Sequence, residues 1–104
     1  MIPLDKIKKI VKKYEILEKE LASSNVSKID FVKKSKEYSS IGEIIVQARS
    51  YLAFEKEKNE LEKITEDKKS ESEMIQLAKG ELNDLIKKNL NDEKILKVYL
   101  LPKD

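Results

Sequence analysis

Glu55 with Glu57, and Asp92 with Glu93, are the carboxylate pairs in this sequence whose spacing invites general acid–base work. Such work needs a cleft that drives the two pKa values apart. Both pairs lie in stretches rich in Lys and Glu, the composition of a solvated helix surface. Histidine and cysteine are absent. That removes the commonest general base, the commonest transition-metal ligand, thiolate metal sites and disulfides. No glycine-rich phosphate loop, nucleophile elbow or metal-ligand spacing occurs. The sequence reads as a binding module, not an enzyme, with no catalytic residue, cofactor or metal.

Lysine is the other chemistry on offer. Lys8-Lys9 and Lys12-Lys13 fall on the polar side of a first helix, joined across the fold by Lys33-Lys34-Lys36, and such a patch would meet RNA phosphates. The plainer reading is a solvated face in a lysine-rich chain. Charge supports the plainer one. With 22 Lys+Arg against 20 Asp+Glu the net charge is only +2, and Arg49 is the sole arginine, so bidentate phosphate recognition is poorly served. Residues 1–52 carry 11 basic and 7 acidic side chains and residues 53–104 carry 11 and 13, a mild asymmetry. Tyr14, Tyr38 and Tyr51 sit on or beside apolar stripes and read as core with the hydroxyl at the rim.

The elements that position these residues are helices. Two Gly, two Pro and six aromatics in 104 residues leave little material for turns and pleated faces. The first helix is expected from Pro3 to Ala22. Proline suits a first helical position, and Leu4, Ile7, Val11, Tyr14, Leu17 and Leu21 recur at spacings of three and four. Ser23-Ser24-Asn25 breaks the pattern. Ser27 then caps with Asp30 three residues on, and Val26 and Phe31 occupy the two positions of a hydrophobic staple. Apolar spacing from Phe31 to Ile64 predicts one middle helix over 28–67, ~60 Å long at 1.5 Å per residue, with a kink or close approach at Gly42. Ser70 with Glu73 predicts a second capping box, opening a last helix over 71–101 that stops before Pro102.

Short turns make consecutive helices antiparallel neighbours. The first helix is half the length of the second, so the expected fold is all-α: an antiparallel three-helix bundle extended by a long two-helix, coiled-coil-like hairpin. Its arm, Glu55 to Glu73, is overwhelmingly charged and should fray first. No apolar run approaches the ~18 residues of a membrane span, and the start lacks the apolar core of a signal peptide. A cytoplasmic protein is expected. Residues 1–104 read as a single helical domain. The apolar run Val98-Tyr99-Leu100-Leu101 before Pro102 reads as a cut at an interdomain linker after Leu101.

Three segments carry a resemblance. Phe31-Val32-Lys33-Lys34-Ser35-Lys36-Glu37-Tyr38 resembles the Phe-x-x-Leu-Ser-[Lys/Arg]-Glu-Tyr stretch in the N-terminal helical domain of bacterial class I peptide chain release factors. Glu73-Met74, Leu77-Ala78 and Glu81-Leu82 resemble that family's Glu-Met-x-x-[Met/Leu]-Ala-x-x-Glu-Leu. Leu100-Leu101-Pro102-Lys103-Asp104 is similar to its closing Leu-Leu-Pro-Lys-Asp. The likeness covers essentially the whole chain and leans towards the factor that reads UAA and UAG. Lys34 stands where the family usually has leucine, and Gly42 where proline or a polar residue is common.

The resemblance implies an accessory domain acting in translation termination. The family's Gly-Gly-Gln hydrolysis loop and its Pro-x-Thr-type codon-reading tripeptide are not in this sequence. It implies contacts with the ribosome at the GTPase-associated centre and with the release-factor glutamine methyltransferase, in a domain that is monomeric by itself. For the ribosomal contact the residues selected are those of the hairpin tip: Thr65, Glu66, Lys68, Lys69 and Ser72. Two other classes remain open, a tRNA-binding helical arm like that of seryl-tRNA synthetases and a structural, self-associating helical protein. The net acidic arm speaks against the first of these.

Overall fold

Ser27 sets the start of the second helix by satisfying two of its otherwise unpaired amides. Its hydroxyl oxygen accepts from the Asp30 N–H at 3.3 Å and its carbonyl from the Phe31 N–H at 2.8 Å. The computed structural model describes residues 1–23 and 25–102. Ser24 of the predicted first turn, and Lys103 and Asp104 of the C-terminal motif, lie outside the described residues. Among the described residues the chain is all α, with α1 at Leu4–Ala22, α2 at Lys28–Gly42, α3 at Ile45–Glu66 and α4 at Ser72–Leu100. None of these helices is long and apolar enough to cross a membrane.

The expected single middle helix is divided. The Glu43 and Ile44 N–H groups turn back to the Ser40 and Ile41 carbonyls at 3.3 and 2.9 Å, three residues away instead of four. Ile44 then leaves the helical region at φ −125°, ψ 7°, and its carbonyl accepts from the Ala48 N–H to open α3. Gly42, a poor helix former, stands just before the break, and Ile41, Ile44 and Ile45 on either side of it are all buried. A Cβ on Gly42 would stand 3.8 Å from Tyr14 Cε1, ordinary contact, so lack of space does not explain the glycine.

α1 runs antiparallel to both α2 and the start of α3. Against α2, Tyr38 reaches Tyr14 and Glu18, and Lys34 pairs with Glu20. Against α3, the Tyr51 hydroxyl accepts from the Ile2 N–H at 3.2 Å. α4 packs on α3 along its length. The residues sharing clefts are Ile64 with Leu77, Leu61 with Leu85, Phe54 with Asn89 and Ile44 with Val98. Their opposite numerical order fixes an antiparallel hairpin.

The core lies at the end where α1, α2, the first part of α3 and the last part of α4 meet. Ile2, Ile7, Leu17, Ile41, Ala48 and Leu96 are among its buried members, with Ile7, Ala48 and Leu96 fully enclosed. Between residues 54 and 88, Ala78 is the one buried residue. A bundle head with a thin arm gives the molecule its 60 × 34 × 19 Å shape. Phe31, expected to staple the start of α2, stays 47% exposed.

Candidate partner-binding site

The hairpin tip is built by Asp67. It stops α3 in an extended conformation (ψ 117°), its carboxylate accepts from the Lys69 N–H at 2.9 Å, and its carbonyl accepts from the Ser70 N–H at 3.1 Å. An aspartate bonding the backbone two residues on is a turn in itself. It also displaces the expected cap. Ser70 is held in the Asp67 turn, so α4 is entered one residue later, through Glu71, whose carbonyl accepts from the Ile75 N–H at 3.0 Å. Ser70 and Glu73 therefore do not form the predicted capping box. Glu73 serves instead as the acidic residue of the first turn.

The tip brings four of the five selected residues together on the surface. Glu66, Lys68, Lys69 and Ser72 are exposed around the Asp67 turn. Thr65 differs. It is half-buried on the last turn of α3 and its hydroxyl donates to the Glu62 carbonyl at 2.8 Å, so its proton is used inside the helix. Its remaining capacity is as an acceptor.

An apolar feature beside the tip lies outside the five residues expected there. Ile64, Met74, Leu77, Ala78 and Glu81 line a cleft of about 180 Å³, with Met74 50% and Leu77 68% exposed. The signal was present in the sequence. At 100° per residue the apolar positions from Met74 to Leu90 span roughly 220° of the helix, more than one neighbour covers. Leu77 and Leu90 fall at the two edges and both emerge exposed.

The carboxylate pairs do not assemble into a site. Glu55 and Glu57 are exposed and two positions apart on a helix, hence on different faces. Asp92 is 4% exposed, and its Oδ2 and the Asn89 Oδ1 have no hydrogen-bond partner among the described residues. Glu93 is engaged instead with Lys97 Nζ at 2.9 Å and the Met1 amine at 3.3 Å. Lys97 first, then the terminal amine, hold its carboxyl below the usual glutamate range. Among the described residues no group of three or more carboxylates stands close enough to hold a metal ion.

The expected joint lysine patch is also dispersed. Lys13 pairs with Glu37 and Lys34 with Glu20 in the α1–α2 seam, while Lys33 and Lys36 point elsewhere as exposed residues of α2. Lys34, at a position where leucine is usual in the resembled family, is thus held by an acidic partner on α1.

The PCRF domain matches residues 10–104. Peptide chain release factor 1 of Pelagibacter ubique is 50% identical over 104 residues, taking in all of this chain and 29% of that protein. The protein of that name from Bartonella tribocorum is 39% identical over 103 residues, 99% of this chain and 28% of its own length. That from Helicobacter pylori is 38% identical over 104 residues, covering 96% and 28%. The chain thus spans less than a third of these curated relatives. No solved structure matches it.

Proposed function

The chain belongs to the PCRF-domain family, and from that premise we propose that it is the N-terminal helical domain of a peptide chain release factor acting in translation termination at stop codons. The observation that carries the reading is identity running through the whole chain to factors of which it covers under a third. On this reading the domain is an accessory, non-catalytic module of a cytoplasmic protein. It makes ribosome and protein-partner contacts, while hydrolysis and codon reading belong to the rest of the factor. The isolated domain is monomeric and residues 1–104 form its single folding unit.

The arm supports this role physically. An antiparallel hairpin carries the Asp67 turn far from the core, which suits a contact made at a distance. We assign the contact with the GTPase-associated centre of the ribosome to Glu66, Lys68, Lys69 and Ser72, with Thr65 positioned behind them. The release-factor glutamine methyltransferase is the second partner in this reading.

The test begins with the gene. A reading frame that runs past the codon for Asp104 into Gly-Gly-Gln and a Pro-x-Thr-like tripeptide supports the proposal, and an immediate stop codon overturns it. In the full-length factor, Glu66→Lys with Lys68→Glu and Lys69→Glu should weaken ribosome association by at least ~10-fold, the equivalent of about 1.4 kcal/mol. Unchanged association would remove the tip from the contact and leave the family reading standing.

A further inference from the structure

The face of α2 turned away from α1 combines apolar exposure with unneutralised positive charge. Lys28, Ile29, Val32, Lys33 and Lys36 fall within roughly 140° of the helix at 100° per residue. The opposite side of the same helix is the one used by the fold, through Lys34, Glu37, Tyr38 and Ile41. α2 packs on α1 and on the start of α3, leaving this outer face uncovered. Ile29 is 72% and Val32 52% exposed, and with the stems of Lys28 and Lys33 they line an open recess of about 390 Å³. Among the described residues none of the three lysines forms an ion pair, whereas Lys34 on the inner side does.

We propose that this face is a docking surface for an amphipathic helix of a partner protein, with an aliphatic ridge that fits between Ile29 and Val32 and acidic side chains that meet Lys28, Lys33 and Lys36. Charge complementarity selects the acidic flanks. The two β-branched side chains, which have rigid rotamers and lose little entropy on contact, select the apolar ridge. Phosphates would use the lysines and leave Ile29 and Val32 against sugars without gain, and no arginine is present on the face for bidentate binding. A bilayer would need a broader apolar stripe than two aliphatic residues. The surface is distinct from the hairpin tip, and the proposal does not depend on the release-factor reading.

The test uses the intact chain with three probes. They are a synthetic helix with a leucine ridge flanked by glutamates, a single-stranded RNA oligonucleotide, and vesicles containing anionic phospholipid. The acidic helix should bind, with NMR shift changes centred on residues 28–36. Its affinity should fall at least ~10-fold both in Ile29→Ser/Val32→Ser and in Lys28→Glu/Lys33→Glu/Lys36→Glu, all of them exposed positions whose folding circular dichroism checks. A control helix with lysine flanks should not bind. Loss confined to the lysine variant, tighter binding of RNA or vesicles than of the acidic helix, or shift changes elsewhere on the chain would each overturn the proposal.

Discussion

The rings of Tyr14 and Tyr38 lie stacked across the α1–α2 seam, centroids 4.4 Å apart and planes 14° from parallel. The Arg49 guanidinium approaches the Tyr14 ring to 5.6 Å, and the Tyr38 hydroxyl donates to Glu18 at 2.8 Å. This cluster joins α1, α2 and α3 just where the middle helix breaks. A double-mutant cycle with Tyr14→Leu and Tyr38→Leu, read by urea unfolding, should return a coupling of about 0.5–1.5 kcal/mol. Strict additivity would show the rings to be merely adjacent.

The same cluster predicts a response to alkali. The Tyr14 hydroxyl, then the Glu18 carboxylate, push the Tyr38 hydroxyl above the ordinary phenol range. The folded state therefore favours the protonated form. Its contribution is complete below the unfolded phenol value and is lost as pH rises through the raised one. Absorbance titration should show one late-ionising tyrosinate that vanishes in Tyr38→Phe.

Tyr51 ties the chain's start to α3. Its hydroxyl accepts the Ile2 N–H, and both residues are buried, at 5% and 4% exposure. Tyr51→Phe leaves that N–H without a partner and should cost about 1–3 kcal/mol. Thermal unfolding measures the loss, and amide exchange at Ile2 should accelerate beyond that of Ile7.

Gly80 lies within α4 with nothing inside 4 Å of where a Cβ would be. Gly80→Ala should stabilise the protein by about 0.5–1 kcal/mol, since alanine loses less backbone freedom in a helix. A Tm unchanged or lowered would mean that the arm does not unfold together with the head.

Acid should act through Glu93. Its carboxyl is held low by Lys97 and the terminal amine. This contribution is present above the unfolded glutamate value and lost as pH falls through the depressed one. Glu93→Gln should therefore flatten the acid side of the stability–pH curve. An identical slope in the variant would remove Glu93 as a source of acid sensitivity.

Much of the fold was legible in the chain because it rests on local physics. The 3.6-residue spacing of Leu4, Ile7, Tyr14 and Leu17 defined α1 and its buried side, and Ser27 with Asp30 placed the start of α2 to the residue. Paired hairpin helices followed from a short polar turn and two periodic stripes. The break in apolar period near Lys68-Lys69-Ser70 marked the tip, and the structure gathers Glu66, Lys68, Lys69 and Ser72 there. It was not legible that Thr65 would spend its proton on Glu62, because a hydroxyl's partner depends on the rotamer and not on the spacing.

What the sequence determined by itself is the all-α class, the antiparallel order and the thin charged arm, since helix propensity, apolar period and turn residues all act within a few neighbours. Only the tertiary structure decided the rest. The middle helix divides at Glu43–Ile44, where the Glu43 and Ile44 N–H groups turn back to the Ser40 and Ile41 carbonyls and the isoleucines on both sides enter the core. Asp67 overriding Ser70 is instead a local contest, in which the Asp67 turn takes up the Ser70 N–H that a capping box would use. Lysines adjacent in sequence separate into paired and unpaired sets because α1 supplies Glu20 to one side of α2 and nothing covers the other. The separation of the lysines depends on which distant surface arrives at α2, and that is information no local pattern carries.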